Sequence, residues 1–171
     1  MVLPKGAGAK RALLVGAGKA KGRDDRTLER IGGTIYKAQA NSGFKSLALT
    51  VDDADAAARI ALGAKLAAYR FDDYRSKLKP EDKPSLTAMS FVTNDTKVAR
   101  IAFKPLDAGA DGTYLARDLV NMPPNDLYPG TYAEKIEELA EHGLEIEILG
   151  EKELAKLGMN SMLGVGQGSV K

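Results

Sequence analysis

The sequence contains no cysteine, no tryptophan and a single histidine, His142. Without cysteine the chain can form neither a disulfide framework nor a thiolate metal site, and this absence is compatible with a reducing cytosol. Without a second histidine, we expect neither a histidine-based metal site nor a Ser-His catalytic triad within this chain.

Long apolar runs and a strong charge of one sign are also missing. No run approaches the roughly 18 residues of a membrane span, and the N-terminus has no signal-peptide core, so we expect no membrane association. The 25 basic and 23 acidic residues are interleaved and leave a net charge of +2, which gives a nucleic-acid partner little support. Hydrophobic residues make up 44% of the chain, which suffices for a core. The length of 171 residues allows one domain, or one and a fraction.

The first 92 residues alternate short apolar runs with helix-forming segments. We predict strands at 11–15 (RALLV), 46–51 (SLALTV) and 85–92 (SLTAMSFV), and helices at 24–42 and 54–70. This order predicts an α/β fold, with a parallel or mixed sheet flanked by helices. Asp25 or Thr27 is the expected N-cap of the first helix. Gly32 and Gly33 inside that helix are interpreted as permitting close packing on a sheet.

A double-proline segment, residues 116–129 (ARDLVNMPPNDLYP), organises the rest of the chain. Proline lacks the backbone N–H and clashes with the preceding helical turn, so a helix predicted at 113–121 should end before Pro123. Such a stiff, kinked connector fits a junction between domains. The preceding segment, 97–110, stays ambiguous because Pro105 interrupts its helical spacing.

Beyond the junction, three short elements and a glycine-rich tail are predicted. Thr131 and Glu134 form a capping box at the start of a helix that ends at Gly143. Residues 144–149 alternate apolar and acidic residues, as a half-exposed strand does. Residues 151–157 form a short helix, and 158–169 a glycine-rich tail.

Several polar groups could bind a ligand, but each has a simpler structural interpretation. Residues 16–19 (GAGK) lack the Ser or Thr of a P-loop and the third glycine of a dinucleotide fingerprint, so a turn is preferred over weak anion binding. Asp52, Asp53 and Asp55 are interpreted as capping a helix rather than binding a cation. The acidic and basic side chains of 72–83 suggest a solvated loop, and His142 lies at a helix C-terminus.

Residues 116–129 and 143–169 closely resemble the leucyl (cytosol) aminopeptidase family of two-metal exopeptidases. Residues 9–20 (AKRALLVGAGKA) resemble it more weakly. The resemblance implies a partial N-terminal α/β domain at 1–110, a linker helix with the Pro-Pro junction at 111–129, and the truncated start of a catalytic α/β domain at 130–171.

The resemblance also implies an activity for the full-length enzyme. Two divalent ions, Mn or Zn, would activate water and polarise the peptide carbonyl, releasing N-terminal amino acids from peptides. Members of the family are cytoplasmic and assemble as homo-oligomers, namely hexamers.

The metal-binding motifs of the family, which resemble G-K-G-x-T-F-D-S-G-G and N-T-D-A-E-G-R, are absent from this sequence. Their nearest echo is 93–96 (TNDT), which lacks the acidic pair. We therefore assign no catalytic, cofactor-binding or metal-binding residue, and we expect the chain alone to be an inactive portion of the enzyme. Arg117, Asp118 and Asn125 are interpreted as structural polar residues at the junction.

Two other hypotheses remain open. The chain could be a non-catalytic module that binds an anion or nucleotide through residues 16–19. It could also be an interaction subunit that pairs with a separate chain carrying the metal motifs.

Overall fold

The computed structural model describes residues 11–19 and 22–168. The chain divides into two units, Met1–Ala116 (unit 1) and Arg117–Lys171 (unit 2). In chain order the elements are α1 (Asp25–Gln39), β1 (Ser46–Thr50), α2 (Ala54–Ala68), a 3-10 helix (Pro80–Asp82), β2 (Ala88–Val92), α3 (Thr96–Asn121), α4 (Pro129–Glu137), a second 3-10 helix (Glu138–His142), α5 (Glu151–Lys156) and α6 (Asn160–Gly166). The predicted α/β class is confirmed. Among the described helices, none combines the length and apolarity needed to cross a membrane.

The first two helices are each capped by an aspartate. Asp24 Oδ1 accepts the N–H of Thr27 at 2.8 Å, so the predicted N-cap, Asp25 or Thr27, was wrong. Asp24 takes the role because its backbone is extended while its carboxylate reaches the third helical residue. Asp53 caps α2 in the same way, accepting the N–H of Ala56 at 2.6 Å.

Two glycines allow α1 and α2 to cross with their backbones in contact. A Cβ atom at Gly32 would overlap the Ile60 carbonyl, and one at Gly63 would overlap the Glu29 carbonyl. The predicted role for Gly32, close packing on a sheet, was therefore wrong about the partner, which is helix α2. The crossing buries apolar side chains of both helices, among them Ile35 and Ile60.

The described sheet consists of two parallel strands, β1 and β2, in the register Ser46↔Ala88 to Thr50↔Val92. Alternate residues of each strand are half-buried and exposed, as a sheet with one covered face requires. β2 begins three residues later than predicted. Leu86 instead bonds back to the Ala40 carbonyl at 3.1 Å and is buried.

The predicted strand at 11–15 is wrong. Only Arg11 forms an isolated β-bridge, and residues 12–19 have no regular secondary structure. Leu14 is 89% exposed, and Leu13 and Val15 are exposed as well. An apolar run becomes a buried strand only when a ladder and a covering layer receive it, and β1 and β2 are the only strands in the described sheet. Arg11 instead places its guanidinium 5.2 Å from the ring centroid of Phe44.

Helix α3 runs continuously through the segment that Pro105 was expected to interrupt. Pro105 removes one N–H donor, but it lies on the exposed side of the helix, where water can satisfy the freed carbonyl. The predicted end of the helix before Pro123 is confirmed. A turn follows in which Pro123 O accepts the N–H groups of Asp126 and Leu127 at 3.0 and 2.9 Å.

The first helix of unit 2 begins earlier than predicted. Pro129 is its first residue and Tyr128 its N-cap, because proline tolerates the first helical position, where no N–H is needed. The predicted capping box that starts at Thr131 was therefore wrong. Thr131 is the third residue, and its hydroxyl accepts the Tyr128 N–H at 3.0 Å. Gly143, with φ +83°, terminates the following 3-10 helix as predicted.

Two further predictions for unit 2 need correction. Residues 144–149 form no strand, because no neighbouring strand is present among the described residues of this unit. The predicted helix after Gly150 is confirmed as α5. The predicted glycine-rich tail contains helix α6, since glycines such as Gly164 weaken a helix by only about 1 kcal/mol each.

Candidate functional site

The described residues do not fit a two-metal centre. Within 11–19 and 22–168, no group of three or more His, Cys, Asp or Glu side chains lies close enough together to hold a metal ion. The sequence analysis assigned no metal-binding or catalytic residue to this chain. That assignment stays a prediction, because it concerns the reaction of the assembled enzyme.

The acidic cluster before α2 serves the helix. The Asp53 carboxylate is the cap described above, and Asp55 lies in the first turn, where the helix dipole favours negative charge. Asp52 acts through its backbone, since its carbonyl accepts the Thr93 hydroxyl at 3.1 Å. The capping interpretation is confirmed for Asp53.

The charged loop of 72–83 contains local ion pairs. Arg70 Nε donates to Asp72 Oδ2 at 2.8 Å, and this hydrogen bond holds the pKa of Asp72 below its usual value. Arg75 approaches the same carboxylate at 3.8 Å. Residues 16–19 are exposed except for the half-buried Ala17. They lie several residues before α1 begins at Asp25, so they do not form the phosphate-binding junction of a loop with a helix N-terminus.

The remaining candidates of the sequence lie in unit 2. Arg117 O accepts the Asn121 side-chain amide at 2.8 Å, and Asp118 O accepts the Met122 N–H at 3.0 Å. Asn125 donates its side-chain amide to Asp126 at 2.9 Å. His142 ends its 3-10 helix and is exposed. These contacts are local, and the structural interpretation of the residues stays a prediction.

Unit 1 contains a groove of about 570 Å³ that sequence reasoning did not anticipate. One wall is the alanine-rich surface of α2. The other walls are β2 and the first half of α3. Its lining includes the cationic side chains of Lys65 and Arg100 and no carboxylate.

Lys65 of α2 also forms ion pairs with the middle of α3. Its ammonium lies 2.5 Å from both Asp107 Oδ1 and Asp111 Oδ1, and the Tyr114 hydroxyl donates to the Lys65 carbonyl. Partial burial lowers the pKa of Lys65, but the hydrogen bonds and charges of the two aspartates outweigh it and hold the pKa above its usual value. Tyr114 stacks edge-on against Tyr69 with centroids 5.1 Å apart.

A signal for this cluster was present in the sequence. Asp107 and Asp111 are four residues apart and therefore share one helix face. The signal was obscured because Pro105 made the segment ambiguous, and nothing in the sequence indicated that Lys65 would face it.

Two family models match the chain in order. The model described as "Cytosol aminopeptidase family, N-terminal domain" matches residues 1–78. The model described as "Cytosol aminopeptidase family, catalytic domain" matches residues 114–171.

Curated relatives cover the whole chain. It is 44% identical over 172 residues to a probable cytosol aminopeptidase of Caulobacter vibrioides, aligning 100% of this chain with 35% of that protein. A probable cytosol aminopeptidase of Agrobacterium fabrum is 43% identical over 182 residues, again with 100% of this chain and 36% of the relative. The chain thus spans about a third of the length of these relatives.

Solved structures with a similar fold include two enzymes. The bottromycin maturation enzyme BotP in complex with Mn superposes with a TM-score of 0.76 at 32% identity, over 92% of this chain and 33% of that chain. A mutant of tomato leucine aminopeptidase shares the fold, with a TM-score of 0.69 at 21% identity over 81% of this chain and 30% of its own. Family models, relatives and folds coincide, and the chain belongs to the cytosol aminopeptidase family.

Proposed function

We propose that this chain provides the N-terminal α/β domain, the linker helix and the first catalytic-domain elements of a metal-dependent, leucyl-type aminopeptidase. The enzyme releases N-terminal amino acids from peptides. The observation that carries the proposal is the ordered match of both domains of one family to residues 1–78 and 114–171. The domain bounds proposed from the sequence are 1–110, 111–129 and 130–171.

The proposed chemistry uses two divalent ions, Mn or Zn, as Lewis acids and activators of water. The Mn in the BotP structure supports the use of such ions in a similar fold. Because the described residues gather no metal-ligand group, we propose that the ligands lie outside them and that this chain alone does not hydrolyse peptides.

Location and assembly complete the proposal. The name of the relatives, cytosol aminopeptidase, supports a cytoplasmic enzyme. The resemblance to the leucyl aminopeptidase family supports a homo-oligomer, namely a hexamer.

The test is hydrolysis of leucine p-nitroanilide by the purified 171-residue chain with added Mn²⁺ or Zn²⁺, with bound metal quantified on the same sample. The full-length Caulobacter vibrioides relative serves as the positive control. We expect turnover and retained metal only in the control. Turnover by the 171-residue chain with metal bound would overturn the proposal, because the ligands would then lie within it.

A non-catalytic role through residues 16–19 has less support. The segment is separated from the start of α1, where a helix N-terminus could bind an anion. A melting temperature raised by millimolar inorganic phosphate, and lost in Lys19→Ala, would revive that alternative.

A further inference from the structure

The groove of unit 1 has the dimensions and lining of a small-molecule site. Its volume of about 570 Å³ lies within the range of ligand pockets, which is roughly 300–1,000 Å³. It is an open groove lined by α2, β2 and the first half of α3, with Tyr36 of α1 at its margin. No step of the proposed aminopeptidase chemistry uses it.

The long wall of the groove is smooth and apolar. Ala57, Ala61, Ala64 and Ala68 line it from one face of α2. Ala57 and Ala64 are already buried in the core, whereas Ala61 and Ala68 are half-buried and keep apolar surface in contact with water. Phe91 and Phe103 contribute aromatic surface from the opposite side. An alkyl chain or flat ring can lie along such a wall and remove its apolar surface from water.

The charge of the groove is one-sided. Of its two cationic side chains, Lys65 is already neutralised by Asp107 and Asp111. No carboxylate of the described residues pairs with Arg100. Arg100 is therefore the available cation at the groove.

Groups near Arg100 on α3 also favour an anion at the groove. Thr96 lines the groove one helical turn before Arg100, and a hydroxyl at that spacing lies on the same face. Lys104 lies one turn after it. The nearby Asp95 carboxylate already accepts the N–H groups of Lys97 and Val98, both at 3.0 Å. The helix N-terminus is thus capped by its own chain, and the anion partner is the Arg100 guanidinium.

We propose that this groove binds a small amphipathic carboxylate. The apolar portion of the ligand lies on the alanine wall of α2, and its carboxylate pairs with Arg100 and the Thr96 hydroxyl. Guanidinium groups suit this role because their forked donors match both carboxylate oxygens. Binding at this groove does not require that the chain hydrolyse peptides.

The test is titration of the ¹⁵N-labelled chain with decanoate, followed by amide chemical shifts. We expect saturable shifts confined to residues such as Ala61, Ser90 and Phe91, and weaker binding by about tenfold in Arg100→Gln because a charge-assisted contact is lost. Arg100 is exposed, so its replacement should not affect folding. The matched control is Arg30→Gln, an exposed arginine of α1 that does not line the groove, and it should bind like the unaltered chain.

Decanol, which has the same chain without the charge, separates apolar from ionic binding. Equal affinity for decanol and decanoate, or unchanged decanoate binding in Arg100→Gln, would overturn the proposal. Shifts that do not saturate, or that appear only at exposed apolar residues of unit 2 such as Val165, would also overturn it. Ala61→Phe, which fills the groove, should abolish the shifts, and a urea unfolding curve verifies that this variant is folded.

Discussion

The two units of the chain differ in where their apolar side chains lie. The buried hydrophobic residues of the described structure all fall between Ile35 and Ala110, most of them in α1 and α2. In the described part of unit 2, no residue is buried, and Val120, Leu157 and Val165 are largely exposed. Helices form in both units, so helical sequence alone does not produce a core. A core requires a second element that closes on the first.

The largest expected difference is between two truncations of an apolar side chain, one in each unit. Ile35 is 3% exposed and Val165 is 82% exposed. Ile35→Ala should lower the free energy of unfolding by about 2–5 kcal/mol, because it removes buried surface and leaves a cavity. Val165→Ala should change it by less than about 0.5 kcal/mol. Urea unfolding followed by circular dichroism measures both, and equal losses would remove the contrast between the units.

The helix crossing in unit 1 gives the second prediction. Gly63→Ala places a Cβ against the Glu29 carbonyl, whereas Gly109→Ala in α3 meets nothing within 4 Å. Helix propensity favours alanine at both positions by about 1 kcal/mol. The overlap should reverse the sign at Gly63, lowering the free energy of unfolding by about 1–3 kcal/mol or more, while Gly109→Ala should raise it. Stabilisation at both positions would show that α1 and α2 are not in backbone contact.

The ion pairs of Lys65 give the third. Lys65→Met preserves the apolar stem but removes the ion pairs with Asp107 and Asp111, whose side chains are 43% and 64% exposed. We therefore expect the free energy of unfolding to fall by about 1–2 kcal/mol. The Lys65 side chain is 25% exposed, which keeps this value below that of a fully buried pair. Lys152→Met in α5, an exposed lysine of unit 2, is the matched control and should change stability by less than about 0.5 kcal/mol. A similar loss in both variants would indicate a general effect of charge.

The same lysine predicts a pH dependence. Its folded-state pKa is raised above the usual 10.5, so its contribution is complete below that value and is lost as pH rises through the folded pKa. The difference between the unaltered chain and Lys65→Met should therefore be constant near neutral pH and shrink as the pH rises above 10.5. Unfolding curves at several pH values measure it, and a difference that persists unchanged at the highest pH would contradict the role of the ammonium charge.

The sequence-based predictions succeed and fail in both units. The elements β1, α2 and α5 were predicted to within two residues, because local periodicity and caps define them. The strands at 11–15 and 144–149 were predicted from patterns as good as that of β1 and do not form. A strand depends on a partner strand that its own residues do not encode, so alternation alone was insufficient.

The candidate sites were predictable to a smaller extent. The capping role of Asp53 follows from its position before a helix, and the sequence is sufficient for it. The groove and the Lys65 cluster join residues about 40 positions apart, and they depend on how α3 packs against α2. Pro105 additionally misled the prediction, because its effect depends on whether the freed carbonyl faces water. The family resemblance was a better guide than either the cap or the packing arguments. Residues 116–129 show it in their sequence alone, so it does not depend on how the helices pack.

The smallest expected effect concerns the caps, which also differ between the units. Asp24 and Asp53 cap α1 and α2, whereas α5 begins after Gly150, which has no side chain to offer. Asp53→Ala should lower the free energy of unfolding by about 1 kcal/mol, because the Ala56 N–H loses its acceptor.

Asp52→Ala is the control for this cap, since Asp52 contributes a backbone carbonyl that alanine retains. Both variants remove one negative charge from the same acidic cluster, so a cation-binding role would make them equally sensitive to added Mn²⁺. If the cluster only caps the helix, Asp53→Ala alone should lower the melting temperature, and added Mn²⁺ should not change this. Thermal unfolding of the two variants with and without Mn²⁺ therefore separates a helix cap from a metal site within unit 1. A melting temperature that Mn²⁺ raises in the unaltered chain but in neither variant would favour the metal site.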